Sequence, residues 1–478
     1  MSRVRMPSFK DGHCHPLFAG REALGPSITN CQTLAEIQSS IFEYATAKPA
    51  LDWIDAGAFK RELATERLDL DFASLGGVAI VLHADDHHTL WVNTEALRRA
   101  NLLDSQPAVS VGKIDLGADG LPNGILREWE AMRLVLDAMP PLSLEQEIRA
   151  LENAQGHLLS LGVTELQEAW IDPGMTEIYI EFARRDLLKI RTHLAFRFDP
   201  KTWRKELGYF KSCQTAVREL GHPRLQINAA KFFADGVLGS ATAALTEPYE
   251  SDSKNFGEPV WLIEELAEAL DSAIEMGLAP HVHAIGDAAI GRTLDLFETR
   301  KVSLSKLGCP PVIAHCELIA DADMKRFESI GVVANMQPLW ARKDSLLTSC
   351  IHHIGERRLG DMYRMRSLVD SGAKLAFGSD WPVSDPNPLL GVYTAVYRAV
   401  EGEPSWNESE SLTIQQALNA YTSGSEVQLG YVTTEGLSAR PDDFVILSAN
   451  PLDSSRDKFA EVKVLETYID SVKVWPKH

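Results

Sequence analysis

The chain has 478 residues, enough to bury a large core in two or three domains, or in one barrel-sized domain with additions. Hydrophobic residues make up 45% and charged residues 24%, which excludes the disordered and fibrous classes. A formal net charge of -20 argues against nucleic acid and anionic membrane as partners, because both are held by clustered Lys and Arg.

Met1 to Pro7 contains Arg3 and Arg5 with no apolar segment behind them, and no run of about 18 apolar residues follows anywhere. A cytoplasmic protein is expected. The six cysteines, Cys14, Cys31, Cys213, Cys309, Cys316 and Cys350, are scattered without CxxC spacing. Reduced thiols are expected rather than a disulfide framework or a zinc knuckle.

The first predicted strand is Ser8 to Pro16, SFKDGHCHP. Alternate residues of a strand point to one side, so His13 and His15 can reach one metal ion. In a chain with 14 histidines such a pair also arises by chance. From about residue 30 to 150 the pattern does not settle into strand and helix alternation. Helical stretches are predicted at Leu34 to Thr46 and Phe59 to Thr65, and a strand over Gly77 to Leu82. The segment DDHHTLWVN, Asp85 to Asn93, precedes a helix at Thr94 to Ala100, and a turn-rich stretch from Gly117 to Gly124 precedes GILREW. This region reads as an inserted subdomain.

From about residue 143 the alternation becomes regular. A helix from Ser143 to Leu161, with Ser143 as its N-cap, feeds a strand at Gly162 to Leu166. Further strands are predicted at Ile190 to Phe196, Leu225 to Phe233, Leu278 to Ala284, Val312 to Cys316, Val332 to Met336 and Lys374 to Gly378. Helices such as Ile263 to Met276 and Asp321 to Ser329 separate them. With the first strand this makes about eight, the count of a (β/α)8 TIM barrel. An open doubly wound sheet is the alternative. No GxGxxG follows the first strand, however, and polar residues end several strands, where barrel enzymes build their sites.

A helix at Thr413 to Ala420 then leads to β-rich segments at Gln428 to Val432, Phe444 to Leu447 and Val462 to Val474, a small C-terminal β appendage. The expected organisation is a first barrel strand and loop in 1–29, a lid subdomain in 30–150, the rest of the TIM barrel in 151–425, and a partial β-sandwich in 426–478. No internal repeat or low-complexity tract interrupts it.

The strand ends share a chemistry. His13 and His15 end the first strand, Lys231 lies in the fourth, His283 ends the fifth, His315 the sixth and Asp380 the eighth. Each has an ordinary structural use: a hydrogen-bonded histidine, an ion-paired lysine, a loop-capping aspartate. Their joint occurrence on one rim points to a metal site, because unrelated structural residues have no reason to converge there.

The chain resembles the amidohydrolase superfamily, and within it the amidohydrolase-3 (YtcJ-like) branch of metal-dependent hydrolases. The resemblance is carried by FKDGHCHP, DDHHTLWVNTEAL, GILREWEA, KFFADGVLGSATAAL, HAIGDAAI, AHCELI, FGSDWPV and LSARPDDFVIL, in order over nearly the whole chain. It implies a binuclear centre of two divalent ions, usually Zn2+. His13, His15 and Asp380 would hold one ion, His283 and His315 the other, and Lys231 would bridge them as an N-carboxylated lysine. An ammonium repels a dication, whereas a carbamate is an anionic two-oxygen ligand. An unmodified Lys231 beside one ion is the alternative.

The resemblance further implies hydrolysis of a C–N bond in an amide, formamide, cyclic amide or urea-like group of a small molecule. Metal-activated hydroxide would attack, with Asp380 as general acid and base. The substrate contacts it implies are His88, Trp91, Asn93 and Glu128 in the insert and Trp340 after strand seven, each of which could equally be core. His281 is read as a barrel-layer residue two positions below His283, and Asp235, Asp287 and Arg292 as supporting or capping groups.

One departure stands out. Members of this branch normally begin with a longer β segment that pairs with the C-terminal strands, whereas here the metal strand is reached by His13. The C-terminal segment is therefore expected to expose an edge and an apolar face. A reduced appendage, a neighbouring subunit of a homo-oligomer or a late reading frame would each account for it. Three rival readings remain. A mononuclear deaminase would place a Glu three residues after the strand-five histidine, where this chain has Gly286. A lactonase or esterase would use the same site on a different carbonyl, and a catalytically silent binding protein would keep the fold alone.

Overall fold

The computed structural model describes all residues except 1–2, 49–50, 65–67, 69–71, 73–74, 86, 104–106, 110–111, 433–437 and 477–478. Thr65, Asp86 and Leu437, which fall in expected elements or motifs, lie outside the described residues. Strands β1 (Val4–Pro7) and β2 (Phe9–Cys14) come first, followed by β3 (Trp53–Phe59), β4 (Ala79–Ala84), β5 (Thr89–Val92), β6 (Lys113–Leu116) and β7 (Pro122–Arg127). Then come β8 (Val163–Ile171), β9 (Arg191–Arg197), β10 (Leu225–Phe233), β11 (Ala279–Ala284), β12 (Val312–His315), β13 (Val333–Met336) and β14 (Lys374–Phe377), and finally β15 (Phe444–Leu447), β16 (Val464–Ile469) and β17 (Val472–Trp475). Residues 1–16 with 155–478 make one compact unit and 17–154 a second.

The first unit is the (β/α)8 TIM barrel. Its eight strands run in the order β2-β8-β9-β10-β11-β12-β13-β14, with parallel neighbours throughout. All nine residues of β8, VTELQEAWI, are buried, as parallel strands covered on both faces require. The ring closes between β2 and β14. There Asp380 N donates to His13 O and His15 N to Trp381 O, each at 2.7 Å. The backbones meet so closely that a Cβ on Gly378 would lie 2.6 Å from the His13 Cβ and N. Gly378 is thus the residue that lets β2 reach its neighbour.

β1 was not among the expected strands. It pairs antiparallel with β15, Val4 opposite Leu447 and Met6 opposite Val445, giving a four-stranded sheet β1-β15-β16-β17. Arg5 lies 3.8 Å over the Phe444 ring, which also stacks on Tyr468 at 4.4 Å. Val445, Leu447 and Ile469 are fully buried, and Thr467 Oγ1 donates to Leu159 O at 2.7 Å. The expected strand at Gln428 to Val432 is not formed. Gln428 instead ends the helix Ser425–Gln428, because its side chain is consumed inside the barrel: its Nε2 donates to Gly12 O at 2.5 Å and its Oε1 accepts from Asn335 Nδ2 at 2.7 Å. Glu426 in the same helix forms a fully buried ion pair with Lys10 at 3.0 Å.

The second unit carries a mixed five-stranded sheet, β3-β4-β5-β7-β6, in which only β3 and β4 are parallel. Phe59, expected to begin a helix, ends β3, and a short 3-10 turn, Arg61–Leu63, follows it. Alternation splits the core: Ile54, Ile80, Leu82 and Trp91 pack with Ile37 and Ile41 of the helix Leu34–Ala47, whereas Val81, Leu90, Val92 and Leu126 pack with Leu97 and Met132. The unit thus has an apolar layer on each face of its sheet. No helix among the described residues is long and apolar enough to cross a membrane.

Candidate metal centre

Strand ends of the barrel bring the predicted ligands together. His13 lies in β2, and His15 follows that strand; Asp380 follows β14 across the closing seam. Ligand atoms of these three buried residues all lie within 4.8 Å of one another. His15 Nε2 is 2.9 Å and His13 Nε2 3.3 Å from Asp380 Oδ1, and Lys231 Nζ is 3.3 Å from His13 Nε2. Two ligands on a tetrahedral Zn2+, each about 2.0–2.1 Å from the ion, stand about 3.3 Å apart. The donor set therefore suits a borderline divalent ion without large rearrangement.

His315 and His283 stand next in line. Their ring centroids are 4.5 Å apart, and that of His315 is 4.8 Å from His13. His283 Nε2 faces the Gly236 carbonyl at 3.1 Å. Strand register sets this order, since Phe233 of β10 pairs with His283 of β11, and Ala284 with His315 of β12. His315 and Asp380 both hold positive φ, 78° and 56°. Such backbone costs about 1–3 kcal/mol per residue and is kept where surrounding structure imposes it, often at functional sites.

The electrostatics leave most of the imidazoles ready to donate a lone pair. Burial drives His13, His281 and His315 well below the ordinary histidine range, reinforced at His13 and His281 by the Lys231 charge. At His15 burial acts in the same direction, but Asp380 and Glu168 outweigh it and raise its pKa. Burial alone would raise Asp380; hydrogen bonds from His13 and His15 reverse this and hold it well below the usual carboxylate range. Burial pushes Lys231 down to about 7, so a large fraction of its amine is uncharged at neutral pH.

Several supporting residues escaped sequence reasoning. Gln337 Oε1 accepts from His315 Nδ1 at 2.8 Å, which leaves Nε2 as the lone-pair nitrogen. Gln337 Nε2 in turn donates to Asn335 Oδ1 at 3.0 Å, and Asn335 to Gln428, so a hydrogen-bonded line runs from His315 to the Gly12 carbonyl of β2. Glu168 Oε1 is 3.4 Å from His15 Nδ1, and Tyr179 Oη donates to the other Glu168 oxygen at 2.7 Å. Asp11 accepts from Ser379 Oγ at 2.6 Å, Ser379 N at 3.0 Å and His13 N at 3.1 Å, tying the Asp380 loop to the His13 strand. His281, read from the sequence as a barrel-layer residue, has its Nε2 2.8 Å from His13 Nδ1. The available signal was the run of polar residues Glu165, Gln167 and Glu168 within β8, a strand buried along its whole length.

Asp235 accepts from Ala244 N, Ile285 N and Gly286 N at 2.8–3.0 Å and joins the loops after β10 and β11. Asp287 accepts from Thr246 N at 2.9 Å. Trp340 stacks on His315 at 5.4 Å with rings 5° from parallel. Trp170 meets His15 edge-on at 6.3 Å and Phe233 at 4.9 Å. Of the insert candidates, His88 Nδ1 is 2.8 Å from Glu128 Oε2. Trp91 is 1% exposed within the sheet core, and Asn93 caps the helix Thr94–Arg99 by accepting from Ala96 N at 3.0 Å.

The sequence profile of the Amidohydrolase family matches residues 3–474. The amidohydrolase-type protein YtcJ of Bacillus subtilis is 28% identical over 99% of this chain and 89% of its own length. An N-substituted formamide deformylase of Arthrobacter pascens is 21% identical over 98% and 87%. A crystal structure of a metal-dependent hydrolase from Pyrococcus horikoshii, itself uncharacterized, superposes with a TM-score of 0.75 at 25% identity, covering 95% of this chain and 88% of that one.

Proposed function

Because the chain belongs to the amidohydrolase family, we propose that its barrel site hydrolyses a C–N bond in an amide, formamide or cyclic amide of a small molecule. The observation that carries this reading is the close approach of His13, His15 and Asp380, with Lys231 against His13 and with His315 and His283 alongside. His13, His15 and Asp380 would hold one divalent ion and His283 and His315 a second, two Zn2+ in the simplest case. Bound there, the ions would lower the pKa of water toward neutrality and polarise a carbonyl.

The chain's own residues supply the rest. Uncharged Lys231 Nζ would add to carbon dioxide, forming an N–C bond as one C=O π bond opens onto oxygen and releasing a proton to water, so that the neutral amine becomes an anionic carbamate that would serve as a metal ligand. Its buried position supports this, since burial holds the amine pKa near 7. Asp380, ionised and held by two imidazoles, accepts the proton of the attacking water and returns it to the departing nitrogen. Trp340, Trp170 and Phe233 form aromatic walls beside His315, His15 and His283 and favour a planar or apolar substituent. In the insert, His88 pairs with Glu128, while Trp91 and Asn93 serve core and cap.

Metal analysis with a substrate panel tests the proposal. Protein purified in metal-replete buffer should hold about two zinc-like ions in the barrel and release amine from N-formyl, N-acetyl or cyclic imide compounds. Lys231→Ala should lose metal and activity, with partial rescue by a small carboxylic acid. A barrel that retains no metal, or lactone cleavage with no amine release from any of these compounds, would overturn it.

A further inference from the structure

The inserted unit contains a second group of metal-ligating side chains, separate from the barrel residues and with no part in the reaction proposed above. Glu22 ends the helix Pro16–Glu22, His83 lies in β4, and His87 lies in the turn between β4 and β5. One ligand atom from each of these three lies within 4.8 Å of the others. His87 Nδ1 is 3.2 Å from Glu22 Oε1, close to the separation of about 3.3 Å between neighbouring ligands of a tetrahedral Zn2+. Asp55 of β3 adds a second carboxylate, with Oδ1 2.9 Å from His83 Nε2.

We propose that Glu22, His83 and His87, supported by Asp55, form a binding site for one borderline divalent cation of the Zn2+ type within the inserted unit. Three geometric facts favour a built site over an incidental cluster. The side chains of Glu22, His83 and His87 are 17%, 11% and 11% exposed, so each gives up most of its hydration. Gly57 supplies the room: a Cβ there would fall 2.5 Å from Glu22 Oε2. His87 is held at φ 55°, a conformation histidine adopts at a cost and one that fixes where its ring stands.

The donor chemistry selects the ion. Two imidazoles with one or two carboxylates suit Zn2+, Co2+ or Ni2+, whereas Ca2+ and Mg2+ prefer oxygen-only shells. The ligands come from the helix Pro16–Glu22, β4 and the β4–β5 turn, with Asp55 from β3. An ion would therefore staple three stretches that are distant in sequence, the end of the helix Pro16–Glu22, β3 and the continuous stretch of β4 and its following turn. The role assigned is structural, and it stands whether or not the barrel reaction is the one proposed.

The test uses the full-length protein and Zn2+ itself. Crystals soaked in Zn2+ and measured at the zinc absorption edge should show an anomalous peak bounded by Glu22, His83 and His87, in addition to any peak in the barrel. In solution, the triple variant Glu22→Gln, His83→Asn, His87→Asn should bind one equivalent less than the parent protein and lose the part of the Zn2+-induced rise in melting temperature that belongs to this site. Barrel peaks with no density between the three side chains overturn the proposal, as does an unchanged stoichiometry in a folded variant. The diffraction arm needs no variant, so misfolding of the triple substitution does not leave the question undecided.

Discussion

Replacing Lys231 by Met tests the electrostatic state of the barrel in protein freed of metal and carbon dioxide. Lys231 is 1% exposed, with Nζ 3.3 Å from a His13 nitrogen and 4.8 Å from the Phe233 ring centre. Burial brings its pKa from 10.5 to about 7. Between those values the unfolded chain binds a proton there that the folded chain does not, so this group makes stability rise with pH across the window from 7 to 10.5. At about 1.4 kcal/mol per tenfold change, the full effect is on the order of 5 kcal/mol, of which about 2 kcal/mol falls between pH 7 and 9. Lys231→Met keeps an unbranched apolar stem and removes the titration. Urea unfolding followed by circular dichroism at pH 7, 8 and 9 should show the metal-free parent gaining about 2 kcal/mol relative to the variant over that range. A parent-minus-variant difference flat with pH would refute the reasoning, since Lys231 would then be charged in both states.

Other perturbations address the groups that hold the ligands. Gln337→Leu removes the acceptor at His315 Nδ1 and should weaken metal retention about 10–100-fold, read by competition with a coloured chelator, while the far-ultraviolet spectrum stays native. Asp11→Ala strands the Ser379 and His13 amides and should cost about 3–5 kcal/mol in urea unfolding; Asp11→Asn retains one acceptor oxygen and should cost clearly less. Gly378→Ala forces a methyl group to 2.6 Å from the His13 Cβ. It should lower the melting temperature and metal content together, through overpacking of about 1–3 kcal/mol at the seam.

The extent to which the site was legible follows from the geometry of a parallel barrel. Successive strands end on one rim, so residues at the ends of β2, β11, β12 and β14 meet whatever the intervening helices do. His13, His15, His283, His315 and Asp380 could thus be named from strand position alone. Their supporting partners could not. Glu168 reaches His15 from β8 because of the β2–β8 register, which shifts twice along the pair. Gln337 reaches His315 from the segment after β13. Neither partnership leaves a period in its own segment. β1 was hidden for another reason: four residues, two of them in the sequence Arg5-Met6, show no alternation distinct from a charged tail until β15 supplies the partner strand. Gln428 was misread because its surroundings are β-rich in composition, whereas its side chain is committed to Gly12 and Asn335 in the barrel interior.

The inserted unit extends the argument from ladders to clusters. In the barrel, the proposed ligands recur at one topological position, so a reader of sequence knows where to look. In the insert the sheet order β3-β4-β5-β7-β6 mixes parallel and antiparallel neighbours, and no single end of its strands collects side chains. The pairing of β3 with β4 brings Asp55 to His83, and Glu22 joins His83 and His87 where the helix Pro16–Glu22 ends near Gly57, whose missing side chain leaves space. The glycine is informative only once the carboxylate beside it is seen. Metal sites of this second kind are defined by an approach between segments, and their sequence trace is the small residue that permits the approach as much as the ligands themselves.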